Sequence, residues 1–452
     1  MPKLALSMIV KNAAADLRDC LESIRGVAEE IVVADTGSHD ETMAIAKAEG
    51  ARVISIPWED DFAAARNKCL AEVQADWALM LDADERLDPA AKEEFPALLT
   101  QERISGFQVT IRNYVFDASK KIWDRPAVAN DGSYAPAREF PAYIEHENVR
   151  LFRREPKIYF TGRVHESVGW RLRETGRKIG AAASRIHHFG MVRETAETKA
   201  SKLAYYRKLG RLKAAEEPQN AQAHLELGLV ELENGGAALD ALGSFRRACE
   251  LNPGLGVAWY FAGAIHFQRN DFPSARSCLR RAEEAGHTTF AVAELAGDAC
   301  YHLKYFEEAR TWYRRAQQRR PEDAAIESKL GMAEARTGDS TSGLRRIRHA
   351  IAMEPSNPQM HDRLIVLHVW LGNAREAGKA AEEKLNALDP KPEDFLRAAS
   401  IWPQANEWER AEQVLTRGRA MFPESEAIRK ALHQIETTHT RSKSRNDARV
   451  GT

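Results

Sequence analysis

From residue 4 the chain alternates short apolar runs with stretches where apolar residues recur every three or four positions. Leu4–Val10 is a continuous apolar run followed by the turn Lys11-Asn12-Ala13, and Leu17, Cys20, Leu21 and Ile24 then stand at helical spacing. Residues 31–34 read as a second buried strand that ends in Asp35-Thr-Gly-Ser-His-Asp40, a turn and N-cap cluster. A helix is predicted over 41–49, with Ala44, Ile45 and Ala48 inward and Gly50 as its stop. A strand over 52–56, a helix over 62–73 and a strand over 77–81 complete the alternation. Strand and helix in this order predict an α/β, Rossmann-like, mostly parallel sheet with right-handed crossovers.

Beyond residue 90 the pattern loosens. A strand is expected over 106–111, and residues 113–148, with Trp123, Pro126, Pro136, Pro141 and Tyr143, read as a long loop whose aromatics suit acceptor contact and equally suit a packed Ω-loop. A basic strand over 149–153 follows, and residues 194–217 form a polar linking helix bearing Leu203, Tyr206, Leu209 and Leu212. From Pro218 a period of 34 residues sets in: Ala241, Ala275, Ala309, Gly343, Ala377 and Ala411. Gly263, Gly297 and Gly331 keep the same interval, Phe245, Leu279, Tyr313 and Ile347 supply a bulky position, and prolines close repeats at 253, 321, 355 and 423. This resembles the tetratricopeptide repeat, with small residues where two helices of a hairpin touch. About six repeats fit over 218–436, the first stretched by one residue near Gly235-Gly236, and they imply a protein partner or self-association. The polar tail 437–452 is expected to be disordered.

Composition narrows the classes. Sixty-five Lys and Arg stand against 66 Asp and Glu over 452 residues, so no global field argues for nucleic acid. Five scattered cysteines without CxxC spacing argue for a reducing compartment and against a zinc site. The apolar run at the N-terminus is too short for a signal-peptide core, and no transmembrane segment is expected. The expectation is a cytoplasmic protein, with contact at the inner face of the membrane left open.

The polar residues give the first part a chemistry. The buried run from Trp77 to Leu81 ends in two carboxylates, Asp82 and Asp84, at the carboxyl edge of a strand, where ligands bind in open sheets. Lys11, Asn12 and Asp35 fall at the same edge, placing Asp35 and Asn12 toward a base or ribose and Lys11 and Arg66 toward phosphate. A divalent cation held by the carboxylates would in turn hold a diphosphate. Later, Gly162-Arg-Val-His-Glu-Ser167 and Arg185-Ile-His-His-Phe-Gly190 supply base and ligand candidates. Glu166 is the expected general base with His165 as the substitute; Glu139, Glu145 and Glu147 also remain open. His187 or His188 would complete a metal site, since imidazole suits Mn²⁺.

Four blocks, Leu6-Ser-Met-Ile-Val-Lys-Asn12, Ile31-Val-Val-Ala-Asp-Thr-Gly-Ser38, Asp61-Phe-Ala-Ala-Ala-Arg-Asn67 and Leu81-Asp-Ala-Asp-Glu85, together resemble the family 2 glycosyltransferases of GT-A fold. The resemblance implies an inverting, metal-dependent transferase using Mn²⁺ or Mg²⁺ and a nucleotide-sugar donor, most simply a UDP-sugar. It implies donor contacts from Lys11, Asn12, Asp35, Arg66, Asn67 and Asp82, and a direct metal ligand in Asp84. The acceptor would be a glycan of the lipopolysaccharide or cell-surface type, or a peptide or protein side chain. The alternative is a repeat scaffold carrying a degenerate transferase domain.

Overall fold

The computed structural model describes residues 1–119, 121–122, 125–233 and 238–450, with backbone alone at 121–122, 125 and 441–450. Trp123 and the Gly235-Gly236 stretch lie outside the described residues. The chain divides into two compact units, Met1–Leu251 and Asn252–Thr452.

In the first unit the elements run β1 (Leu4–Val10), α1 (Leu17–Ser23), β2 (Glu30–Asp35), α2 (Thr42–Ala48), β3 (Arg52–Ser55), α3 (Phe62–Ala71), β4 (Trp77–Met80), β5 (Glu85–Leu87) and α4 (Ala91–Leu99). There follow β6 (Gly106–Val115), the short strands β7 (Lys121–Ile122), β8 (Arg125–Pro126) and β9 (Val128–Ala129), then β10 (Ala142–Arg153), α5 (Gly169–Glu174), β11 (Ile179–His188) and α6 (Gly190–Arg193). Three helices close the unit: α7 (Ala196–Glu216), α8 (Ala221–Glu233) and α9 (Ala238–Leu251).

The main sheet has the order β3-β2-β1-β4-β10-β6-β11-β5, with β9 paired to β10. Its first four strands are parallel, as the alternation predicts. β10 runs antiparallel to both β4 and β6, β11 parallel to β6, and β5 antiparallel to β11, so the whole sheet is mixed. From β1 the chain builds outward to β2 and β3, then returns to place β4 on the other flank of β1. That reversal opens a crevice at the carboxyl ends of β1 and β4, the switch point where open α/β sheets bind ligands.

Both faces are covered. Leu4, Leu6, Met8, Trp77, Leu79 and Phe107 belong to one core, and Ala5, Val32, Ala78, Phe152 and Leu172 to the other. Neighbouring residues of one strand serve opposite cores, as the two-residue repeat of a strand requires. α2 differs from the expected phase: it buries Thr42 and Ala46, while Ala44 and Ala48 face solvent. The Thr42 hydroxyl accepts the backbone N–H of Ala13, and this bond turns the helix.

Much of the expected loop over 113–148 is instead ordered ladder. Residues 113–115 complete β6, and β10 begins at Ala142 and pairs along it from Ala142↔Val115 onward. The strands are buried by Tyr114, Val115, Ala142, Tyr143 and Ile144 packing with the 134–140 turn and residues 189–192, which is why no two-residue alternation is visible there.

The second unit is built of helix pairs: Gly256–Gln268 with Phe272–Glu284, Phe290–His302 with Phe306–Arg319, Ala324–Arg336 with Ser340–Met353, Pro358–Trp370 with Ala374–Ala387, and Pro392–Ile401 with Trp408–Met421. The period has a steric cause. A Cβ at Gly263 would stand 2.8 Å from Leu279, and one at Gly297 would stand 2.5 Å from Tyr313. Gly228 meets Phe245 the same way in the α8–α9 hairpin of the first unit, at 2.7 Å. These three pairs close by seating a bulky side chain on bare backbone. The tail departs from expectation: Glu426–Val450 is one helix, with Ile428 and Leu432 buried at its start and no Gly or Pro to stop it.

Candidate active site

α3 organises the crevice with two consecutive residues. Asp61 caps the helix by accepting the Ala64 N–H at 2.9 Å, which fixes its first turn. One turn on, buried Arg66 donates from Nη2 to Asp82 Oδ1 at 2.6 Å and from Nε to Glu166 Oε1 at 2.5 Å. Its Nη1 is buried and has no partner among the described residues. Burial opposes the guanidinium charge, but Asp82 and Glu166 outweigh it and raise the pKa. For Asp82, burial opposes ionisation and the charges of Arg66 and Arg150 prevail, so its carboxyl lies well below the usual range.

The neighbouring Asn67 does something else. Its amide donates to the Phe160 carbonyl at 2.9 Å and accepts the Phe160 N–H at 2.8 Å. Both ends of the side chain are engaged with the backbone that leads to Glu166. Asn67 thus holds that segment, and its amide keeps a second donor and a second lone pair for the donor contact the motif implies.

Asp35 and Asn12 are likewise engaged locally. The Asp35 carboxylate accepts the N–H groups of Gly37 and Ser38, at 3.0 Å each to Oδ2. Asn12, at φ +51°, accepts the His39 N–H at 2.8 Å. These bonds fasten the β1 and β2 turns to one another, and a carboxylate with four lone-pair positions keeps capacity for a ligand. Lys11, Thr36, Trp58, Phe62, Arg66, Asp82 and Tyr205 are among the residues lining a cavity of about 390 Å³ at this edge.

Asp84 lies past β4, and Phe189 donates its N–H to the Asp84 carbonyl at 3.0 Å. This brings the end of β11 to the second carboxylate, with His188 Nε2 3.2 Å from Asp84 Oδ2. His188 Nδ1 contacts Asn113 Oδ1 at 2.7 Å. The Asn113 amide nitrogen contacts the Ile144 carbonyl and His146 Nδ1, at 2.9 Å each. A carbonyl only accepts, so the amide nitrogen must face Ile144 and the amide oxygen must face His188. His188 therefore donates its Nδ1 proton to Asn113, and in the imidazolium form it also donates from Nε2 to Asp84 Oδ2; a cation held between the two would replace that Nε2 proton. Burial lowers the His188 pKa, and the Asp84 hydrogen bond and charge outweigh it, for a net rise.

The pair fits a divalent cation. Two cis ligands of an octahedral ion with bonds near 2.1 Å lie about 3.0 Å apart, close to the 3.2 Å found. Gly190 leaves the space: a Cβ there would stand 2.3 Å from Asp84 Oδ2 and 2.7 Å from His188 Nε2. No third His, Cys, Asp or Glu joins them among the described residues, so further ligands would come from substrate and water.

His187 goes elsewhere. Adjacent strand residues face opposite sides, and its ring stacks on Tyr134 at 3.6 Å, with Nδ1 2.8 Å from the Tyr114 hydroxyl and Nε2 3.3 Å from Asp88. Burial outweighs the Asp88 bond and lowers its pKa to about 4. Of the two histidines, the structure brings only His188 to Asp84. His165 is exposed at φ +54°, its ring 6.1 Å from that of Tyr206.

Behind the carboxylates, buried Glu85 takes both guanidinium nitrogens of Arg150 at 2.9 Å and accepts the Asp82 N–H at 2.8 Å. This bidentate pair fixes the turn that aims Asp82 and Asp84.

Residues 6–161 match the glycosyl transferase family 2 model, and residues 204–255 and 260–324 match a tetratricopeptide repeat model. The first unit carries a family 2 glycosyltransferase domain. The glycosyltransferase match ends before Glu166 and His188, so that half of the crevice comes from sequence outside it. Among relatives, a lipopolysaccharide core biosynthesis glycosyltransferase of Rhizobium meliloti is 32% identical over 177 residues, 37% of this chain and 58% of the relative. An uncharacterised glycosyltransferase of Rickettsia prowazekii is 33% identical over 116 residues, 25% and 39% of the two chains. A TPR repeat-containing protein of Synechococcus elongatus is 43% identical over 109 residues, 24% and 27%. The chain thus spans 27% to 58% of the lengths of these relatives. No helix among the described residues is long and apolar enough to cross a membrane.

Proposed function

We propose that the first unit transfers a sugar from a nucleoside diphosphate sugar, most simply a UDP-sugar, to a hydroxyl of a saccharide acceptor, with inversion. The observation that carries this reading is the cavity lined by Lys11, Arg66 and Asp82, with the Asp84–His188 pair two residues past Asp82. Lys11 and Arg66 are cations of that cavity, and a diphosphate is a natural counter-ion for them. Asp84 and His188 would hold Mn²⁺ or Mg²⁺, whose charge would stabilise the departing diphosphate.

The chain's own groups then divide the work. Arg66 binds and orients the diphosphate, and Lys11 adds a cationic wall to the cavity. The acceptor oxygen bonds to the anomeric carbon as the carbon–oxygen bond to the diphosphate breaks. The acceptor proton passes to Glu166, whose Oε1 is held by Arg66. A saccharide acceptor is favoured by the Rhizobium relative, whose name assigns it to lipopolysaccharide core biosynthesis.

The reading is tested by thermal-shift titration of the whole chain with UDP, Mn²⁺ and both together. A shift that needs both agents supports it; no shift, or one equal without metal, removes it. A panel of nucleotide sugars, scored for slow hydrolysis, then names the donor. Glu166→Gln keeps an oxygen for Arg66, so UDP affinity should hold while turnover falls about 10²–10⁴-fold. Unchanged turnover would move the base elsewhere.

A further inference from the structure

α7 begins past the end of the glycosyltransferase match, and from residue 204 it lies inside the repeat match. Its side chains nevertheless reach both loops that frame the cavity. Tyr205 lines the cavity itself. Trp58 Nε1 donates to the Tyr205 hydroxyl at 2.6 Å, and that hydroxyl donates to the Asp60 carboxylate. Lys208 pairs with the other oxygen of Asp60 at 2.7 Å. One turn further on, buried Lys213 donates to the Val164 carbonyl at 3.0 Å, two residues before Glu166, and pairs with Glu226 of α8 at 2.7 Å. Gly162, at φ +96°, makes room for this ammonium: a Cβ there would stand 3.1 Å from Lys213 Nζ. Arg163 also bridges, donating to the Asp60 carbonyl at 2.9 Å and to Glu216 at 3.0 Å.

We propose that α7, the helix that opens the repeat array, is a working wall of the donor site, with Tyr205 the face that recognises the nucleoside. This rests on the donor-site reading above. A phenol whose oxygen is held by both Trp58 and Asp60 cannot swing away, so it offers a fixed flat surface. A nucleobase is flat and stacks on aromatic rings. Arg66 and Asp82 line the same cavity, and among the described residues neither is hydrogen-bonded to Tyr205. Nucleoside and diphosphate recognition therefore separate between α7 and the sheet.

The test uses the full chain and calorimetric titration, in Mn²⁺, of two probes: UDP and inorganic diphosphate. Tyr205→Ala should weaken UDP at least tenfold and leave inorganic diphosphate within twofold of the wild type. Tyr205→Phe keeps the ring, loses the two hydroxyl bonds and should fall between. In the wild type, UDP should slow amide exchange over 196–216. Wild-type UDP affinity in Tyr205→Ala overturns the role of α7 alone, and so does an equal loss for both probes, which would mark general damage. A wild-type chain that binds neither probe overturns the donor-site reading and this inference together.

Discussion

Gly190→Ala tests the metal reading with the smallest possible change. The substitution adds one methyl group where the backbone of α6 passes over the Asp84–His188 pair. At 2.3 Å from Asp84 Oδ2 and 2.7 Å from His188 Nε2, the new carbon must push the carboxylate away by about 1 Å and the imidazole by somewhat less to reach ordinary contact. Ligand distances around a bound cation hold to about ±0.2 Å, so a 1 Å displacement removes one protein ligand from the site. Loss of a well-placed interaction at a metal site costs about 10–100-fold in affinity. The fold should survive, because both side chains keep a route to solvent: their exposures are 33% for Asp84 and 21% for His188.

The assay is Mn²⁺ titration by calorimetry or by the paramagnetic signal of free ion, with and without UDP, on chains checked for equal Tm. Mn²⁺ affinity should drop by one to two decades, and UDP affinity should become less sensitive to metal. Two results would refute the reasoning. Unchanged Mn²⁺ affinity would mean that the ion sits elsewhere. A comparable loss of UDP affinity in metal-free buffer would mean that Asp84 and His188 form part of a nucleotide site without metal.

Three further outcomes follow from the same geometry. Asn113→Ala frees His188 to take the other tautomer and should lower Mn²⁺ affinity about 10–100-fold; a titration matching the wild type would show that the amide does not orient the ring. Gly297→Ala forces a methyl group against the ring of Tyr313 at 2.5 Å, which should cost roughly 1–3 kcal/mol, read as a lower melting temperature by circular dichroism; an unchanged Tm would refute the steric origin of the repeat period. His368 is buried with neither ring nitrogen partnered among the described residues, and burial lowers its pKa. The unfolded imidazole takes its proton near pH 6.5 and the folded one only at lower pH, so stability is lost as pH falls through that window. His368→Leu should therefore raise the Tm more at pH 5 than at pH 8, and an equal gain at both would sink the electrostatic part of the argument.

What was legible in the sequence was local. The parallel half of the sheet came from apolar runs and helical spacing within some ten residues, and the helix pairs from a fixed interval that repeats a single contact, Gly263 on Leu279 and then Gly297 on Tyr313. Asp82 and Asp84 were legible because a carboxylate just past a buried strand must lie at the sheet's edge. The rest of the site was assembled from distant parts of the chain. Arg150 meets Glu85 across 65 residues, Asn113 meets His188 across 75, and Tyr205 meets Trp58 across 147. Asn113, Trp58 and Tyr205 stand in no pattern that their neighbours reveal. Arg150 had one available signal, since an arginine in a strand that otherwise reads as buried requires a buried carboxylate partner.

The two adjacent histidines mark where the boundary between legible and illegible falls. Residue type and spacing allowed either one as a ligand, and strand periodicity alone requires that only one face the crevice. Which one depends on register: β11 pairs with β5 as His188↔Glu85 and His187↔Arg86, and with β6 as His188↔Asn113. A slip of one residue would have put His187 beside Asp84 and His188 against Tyr134. The register is held in turn by Phe189, whose N–H reaches the Asp84 carbonyl and whose ring packs with Tyr114 and Phe140. The aromatic cluster that buries His187 is thus what delivers His188 to the carboxylate. A packing decision made away from the crevice sets the chemistry within it.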